Sequence, residues 1–177
     1  MIGDFVKGNK KDTFPEKIKR GIELHRSIDC YTDSHPATSH AKSYLRAYYG
    51  LYSGIYIDII FDHFLANDKD YFDHETLKDF SGYVYETIGN YREYWPVGFD
   101  TMFFHMKQHN WLANYVSFDH TAGALKGITR RRIMEKNTDK LIEIFEADYE
   151  GLKNDYKQVM TDLECFVKNL LFDPGGV

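Results

Sequence analysis

The stretch GIYIDIIFDHFLAN, residues 54–67, decides the fold. Ile55, Ile57, Ile59, Ile60, Phe61, Phe64 and Leu65 leave little polar surface on any side of a helix, and such a helix belongs at the centre of a protein. So β-branched a run also fits a strand. No partner strand accompanies it, because sustained alternation of apolar and polar residues is absent from the rest of the chain. The apolar run is also far too short to span a bilayer.

Outward from this segment the pattern stays helical. Pro15 suits a first helical position, and Ile18, Ile22, His25, Ile28 and Asp29 then share one face. Pro36 opens the next helix, Ala41, Tyr44, Leu45 and Tyr48 form its stripe, and Gly50 stops it. Leu77, Phe80, Val84 and Ile88 mark a helix over about 75–91. The segment Trp95-Pro96-Val97-Gly98 breaks the pattern, and Asp100 is placed to cap a short helix through Met102, Phe103 and Met106. Trp111, Leu112 and Tyr115 form a further apolar cluster. A helix from about Thr121 leads into Arg130-Arg131-Arg132. The spacing from Leu141 to Leu170 predicts one very long helix starting near Thr138. The expectation is an all-α, single-domain helical bundle over 1–172, with 173–177 as a frayed tail.

Composition agrees with that class and excludes others. The chain has 177 residues, 43% of them hydrophobic and 28% charged, which suits one globular core. Its formal net charge of −5 argues against a nucleic-acid partner, and nothing in it suits a membrane. Cys30 and Cys165 offer neither a disulfide framework nor zinc spacing, and no leader is visible, so the expected location is the cytoplasm. Charge is uneven, however. Seven Lys or Arg face four acids in residues 1–26, while four face nine in residues 137–177. The basic clusters fit either solvated faces or a docking surface for an acidic or phosphate-bearing partner.

The chemistry-bearing residues sit on apolar stripes. His25 and Asp29 are four apart, as are Asp58 and Asp62, with His63 next in line. If these helices pack as their stripes indicate, three acids and two imidazoles are buried, which demands cations, hydrogen bonds or a metal ion. Carboxylates with neutral imidazoles on facing helices suit Mn²⁺, Fe²⁺, Mg²⁺ or Zn²⁺. The alternative is that Asp29 pairs with Arg26 or another base and Asp58 bonds backbone or tyrosine hydroxyls. Neither outranks the other on spacing. His35 and His40 read as surface residues, His74 and His120 as turn or helix-start residues, and His105 and His109 as packing. Cys30 on its helix reads as packing too. No glycine-rich phosphate loop or nucleophile motif is present.

Several motifs together carry a family resemblance. They are Gly3-Asp4-Phe5-Val6-Lys7-Gly8-Asn9, His25-Arg26-x-x-Asp29, Thr32-Asp33 and Asp62-His63-Phe64-Leu65, with a weaker continuation through Trp111-Leu112 and Gly127-x-x-x-Arg131-Arg132. At these positions the chain resembles the acyl carrier protein phosphodiesterase family. The resemblance implies an all-helical fold distantly related to HD-type metal phosphohydrolases. It implies release of 4′-phosphopantetheine from holo-acyl carrier protein, with Mn²⁺ favoured over Mg²⁺, Fe²⁺ or Zn²⁺. It makes Asp4, His25, Asp29, Asp62 and His63 metal-ligand candidates and Asp58 a base or an orienting group. Arg26 and Lys7 would hold phosphate oxygens, and Arg131 and Arg132 would help dock an acidic carrier protein.

Family members usually begin with a further segment, Met-Asn-aromatic-Leu-Ala-His-Leu and about a dozen more residues, ahead of the Gly-Asp-Phe motif. The resemblance therefore implies a missing N-terminal helix and histidine. It also implies an apolar groove beside Asp4 that a second copy of the chain would cover as a homodimer. Two other functions remain open at this point: a metal phosphohydrolase acting on nucleotides or another small phosphodiester, and a non-enzymatic helical module that docks a carrier protein.

Overall fold

The computed structural model describes residue 6 and residues 8–132 and 137–172, and of residues 9, 10, 131 and 132 only the backbone. Among the described residues the chain is helical throughout and has no strand. Asp4, Lys7, the side chains of Arg131 and Arg132, and the tail 173–177 lie outside the described residues.

A 3-10 turn at Gly8–Thr13 leads to Pro15, which precedes α1, Glu16–Ser34. Helix α2 spans Pro36–Tyr49; the His35 side chain accepts a hydrogen bond from Ala37 N–H at its start. Gly50 ends it with a φ of 56°, a backbone conformation that favours glycine. Helix α3, Ser53–Ala66, is built from the strongly apolar stretch at residues 54–67. It packs on α2 and on the later helices α6, α7 and α9, the central position its apolar faces led one to expect. One strip of it stays open: Asp58 and Asp62 are exposed, and Ile55 and Leu65 are half-buried.

Helix α4, His74–Asn90, starts in a capping box in which Asp73 and Thr76 satisfy each other's backbone N–H groups. Helix α5, Phe99–Gln108, follows Gly98 at φ 84° and has no side-chain cap; Asp100 lies inside its first turn rather than capping it. Short α6, Trp111–Asn114, and α7, Phe118–Arg132, come next.

The single long C-terminal helix expected from the stripe is two helices. Helix α8, Thr138–Ala147, ends at Asp148, and α9, Tyr149–Phe172, runs on from there. No proline or glycine marks the junction, so periodicity alone did not reveal it. The bend brings Tyr149 against His63, 2.9 Å from its Nε2. It also carries Gly151 past Tyr44, where an added Cβ would lie 2.5 Å from the phenol oxygen.

Two apolar clusters hold these elements. The larger joins Leu45 of α2, Ile57, Ile60 and Phe64 of α3, Leu125 of α7, Phe145 of α8 and Leu152 of α9. Each such fully buried side chain contributes about 1.5–3 kcal/mol of transfer free energy. The smaller cluster joins Tyr85 of α4 to Phe99, Phe103 and Met106 of α5, with Trp95 and Trp111 against it.

Candidate functional site

The exposed strip of α3 supplies the first part of the site. Asp58 and Asp62 were expected to be buried and are not: both side chains reach solvent. The helix places them one turn apart on its open edge, while Ile57, Ile60 and Phe64 take the buried side. Protein nevertheless crowds Asp62, and that desolvation pushes its carboxyl up to about 7, with the Asp58 carboxylate adding repulsion. The charge of Asp62 reaches Tyr115, whose phenol is raised mainly by burial and then by this carboxylate.

The pair on α1 is also more open than its stripe indicated. Ile22 is the buried residue of that helix; His25 is half-buried and Asp29 exposed. His25 Nδ1 lies 2.8 Å from Asp29 Oδ2, so the two residues do meet as their spacing requires. Between them Arg26 reaches back to the preceding segment. Its guanidinium donates to the Val6 carbonyl at 2.6 Å and twice to the Gly8 carbonyl at 3.2 Å. This fastens the segment that precedes α1 to the helix itself.

Among the described members of the candidate set, His63 is the deeply buried one, at 2% exposure. Its Nδ1 lies 2.7 Å from the Tyr115 carbonyl and its Nε2 2.9 Å from the Tyr149 hydroxyl. Burial holds its imidazole below the usual range. The deeply buried acid of the described chain is Asp155 on α9, at 5% exposure, and spacing gave no hint of it. His40 Nδ1 contacts both of its oxygens, at 2.9 and 3.0 Å. His40 itself is exposed, as expected. His35 is not a surface residue: it caps α2 through Nδ1 and donates from Nε2 to Asp162 at 3.1 Å. Cys30, expected to pack, is exposed.

Beside the acidic strip lies a cavity of about 450 Å³ between α3, α6 and α7. Ile59, Ala124 and Ile128 give it apolar surface, and Trp111 and Tyr115 give it aromatic walls. His109, Asp119 and His120 add polar groups, and Gly123 leaves space. His120 is held below the ordinary histidine range by burial and then by the charge of His109. His105 and His109 stack with ring centroids 6.3 Å apart, but both are exposed rather than packed in a core. The signal that would have found this face is the helical spacing of His120, Ala124 and Ile128 on α7, alongside Asp119 and Gly123.

The basic opening segment is largely occupied internally. Lys11 pairs with Glu23, Lys19 with Asp12 and Arg20 with Glu16. Lys126 pairs with Asp139 at 3.4 Å.

As donor types, the His25–Asp29 and Asp58–Asp62 pairs suit a divalent ion. They do not close on one: among the described residues no three His, Cys, Asp or Glu side chains come together in a group able to hold a metal. Helices α1 and α3 share α2 and α9 as packing neighbours.

Fold and site together define an all-helical domain with an acidic strip beside an aromatic, imidazole-bearing cavity. The chain belongs to the acyl carrier protein phosphodiesterase family, whose description matches residues 1–163. The acyl carrier protein phosphodiesterase of Yersinia pestis is 32% identical over 133 residues, covering 75% of this chain and 69% of that protein. That of Photorhabdus laumondii is 31% identical, covering 74% and 67%. The protein of that name from Escherichia coli is 27% identical over 160 residues, covering 89% and 82%. No solved structure matches the chain. No helix among the described residues is long and apolar enough to cross a membrane.

Proposed function

We propose that this chain hydrolyses the phosphodiester joining 4′-phosphopantetheine to a serine of acyl carrier protein, in the cytoplasm. The observation that carries the proposal is family membership across residues 1–163. In the reaction a water oxygen bonds to phosphorus and the bond from phosphorus to the serine oxygen breaks. The serine oxygen takes up a proton. The products are apo-carrier and free 4′-phosphopantetheine.

Dependence on a divalent ion, Mn²⁺ first, is part of the same proposal, as is kinship with HD-type phosphohydrolases. The ion would polarise the phosphoryl oxygens and lower the pKa of bound water. Its donors would come from Asp4, His25, Asp29 and Asp62, with Asp58 orienting a donor or acting as base; His63, the remaining candidate, would have to give up its contact with the Tyr149 hydroxyl to join them. What supports this is the mutual repulsion of Asp58 and Asp62, which a cation relieves. Lys7, Arg131 and Arg132 would meet the acidic carrier.

Incubation of holo-carrier with the protein and Mn²⁺ should release the arm, read as the mass lost from the carrier. Chelator, or the Asp62→Ala substitution, should stop it. Absence of release with each of Mn²⁺, Mg²⁺, Fe²⁺ and Zn²⁺ overturns the proposal.

A further inference from the structure

The cavity between α3, α6 and α7 has a lining that selects a ligand chemistry. Its volume of about 450 Å³ lies within the ordinary range for small-molecule sites. Among the described residues no Lys or Arg lines it, and Asp119 does. A phosphate or polyphosphate would meet the Asp119 carboxylate there, with no compensating cation among the described lining residues. A plain hydrocarbon chain would leave His109, His120 and the Tyr115 hydroxyl facing groups that cannot hydrogen-bond. An uncharged chain that carries amides answers both constraints. Its carbonyls and N–H groups pair with imidazoles, and its methylenes lie against Trp111, Ile59 and Ile128.

We propose that this cavity binds the uncharged, amide-bearing arm of the carrier's prosthetic group, leaving the phosphate at its mouth beside the α3 acidic strip. The proposal rests on the phosphodiesterase function above for the identity of the arm. Connectivity supports the placement: Ile59 lines the cavity, and Asp62 follows three residues later, roughly one helical turn along α3. Gly123 supports it from the other wall. A Cβ there would meet nothing within 4 Å, so this position of α7 leaves open the room that a side chain would take.

The test uses the whole chain and D-pantetheine, which carries the amides without the phosphate. Trp111 in the cavity wall reports binding by fluorescence; the other tryptophan, Trp95, lies in the α4–α5 cluster. Wild type should show a saturable change. Gly123→Leu should weaken it by at least about tenfold, and Gly123→Ala less. Inorganic phosphate and decanoate should give no saturable change. Gly82→Leu, also in open space but on α4, should bind as wild type does, and thermal melts confirm that each variant is folded. Absence of saturation by pantetheine, or equal binding in Gly123→Leu, overturns the proposal.

Turnover separates this outcome from that of the proposed function. With holo-carrier, Gly123→Leu should raise KM, whereas Gly82→Leu, outside the cavity, should leave KM and kcat as in wild type. Release of the arm with an unaltered KM sinks the cavity assignment and keeps the phosphodiesterase. Pantetheine binding lost in Gly123→Leu, without arm release from holo-carrier, supports the cavity and sinks the phosphodiesterase.

Discussion

The Nδ1 of His63 sits 2.7 Å from the carbonyl oxygen of Tyr115. A carbonyl can only accept, so Nδ1 carries the proton and the lone pair of Nε2 is left to accept from the Tyr149 hydroxyl. One imidazole thereby ties α3 to the cavity wall at Tyr115 and to the start of α9. His63→Ala should destabilise the chain by about 3 kcal/mol, through a void and two stranded polar groups. Tyr149→Phe should cost about 1 kcal/mol, because it removes one donor without leaving a void. Urea unfolding in the presence of chelator measures both. If His63 served only to bind metal, His63→Ala would leave the chelated protein as stable as wild type.

Two groups at the cavity should give opposite pH signatures. Burial holds His120 below the usual histidine range, so the folded protein resists its protonation while the unfolded chain accepts it below about 6.5. The stability this provides is present above that pH and is lost as the pH falls. Asp62 behaves in reverse. Its folded carboxyl, raised to about 7, holds a proton that the unfolded chain gives up above about 4, so it subtracts stability as pH rises from 4 to 7. Between pH 7.5 and 5.5, His120→Gln should therefore lose less stability than wild type. Asp62→Asn should gain less, or lose more, over the same interval. Denaturant midpoints at the two pH values decide it; a shared direction for the two variants would contradict the assignment.

Asp155 is a buried carboxylate with His40 as its partner. His40→Ala leaves that carboxylate without the imidazole in a poorly solvated position, and should cost about 2 kcal/mol. Asp29→Ala removes a carboxylate from an exposed pair with His25, and should cost less than about 1 kcal/mol. The contrast is measurable in a single set of melts and places the stabilising acid on α9 rather than α1.

The same contrast explains what the sequence could reveal. Residues 54–67 announced a central helix because seven large apolar side chains leave little choice of environment, and α3 does pack against α2, α6, α7 and α9. Pro36 and Gly50 bounded α2 because each restricts backbone geometry locally. Asp58 and Asp62 misled because a helix that is apolar nearly all round can still keep one narrow strip in solvent, and periodicity does not say which strip. Asp155 was invisible because its partner lies 115 residues away and its own neighbours in sequence look like an ordinary amphipathic helix. The bend at Asp148 carries no proline or glycine; the bond between Tyr149 and His63 across the fold accompanies it. The cavity escaped notice because its lining comes from α3, α6 and α7 together, and Trp111 and Tyr115 read as core when each is considered alone.

Arg26 separates two ways in which a cation contributes to such a site. Its guanidinium holds the carbonyls of Val6 and Gly8, so it acts on the backbone of the segment that carries the Gly-Asp-Phe motif. Lysine keeps the charge but lacks the planar fork that reaches two carbonyls at once. If Arg26 acts by fastening this segment, Arg26→Lys and Arg26→Ala should be nearly equal. Each should destabilise by about 1–2 kcal/mol and speed amide exchange over Gly8–Thr13. Both should then lower kcat for release of the arm more than they raise KM. If Arg26 instead holds phosphate oxygens directly, Arg26→Lys should retain much of the activity, Arg26→Ala should raise KM, and exchange over Gly8–Thr13 should not change. Measuring exchange and both kinetic constants on the two variants distinguishes the roles, and the observed bonds to Val6 and Gly8 favour the fastening outcome.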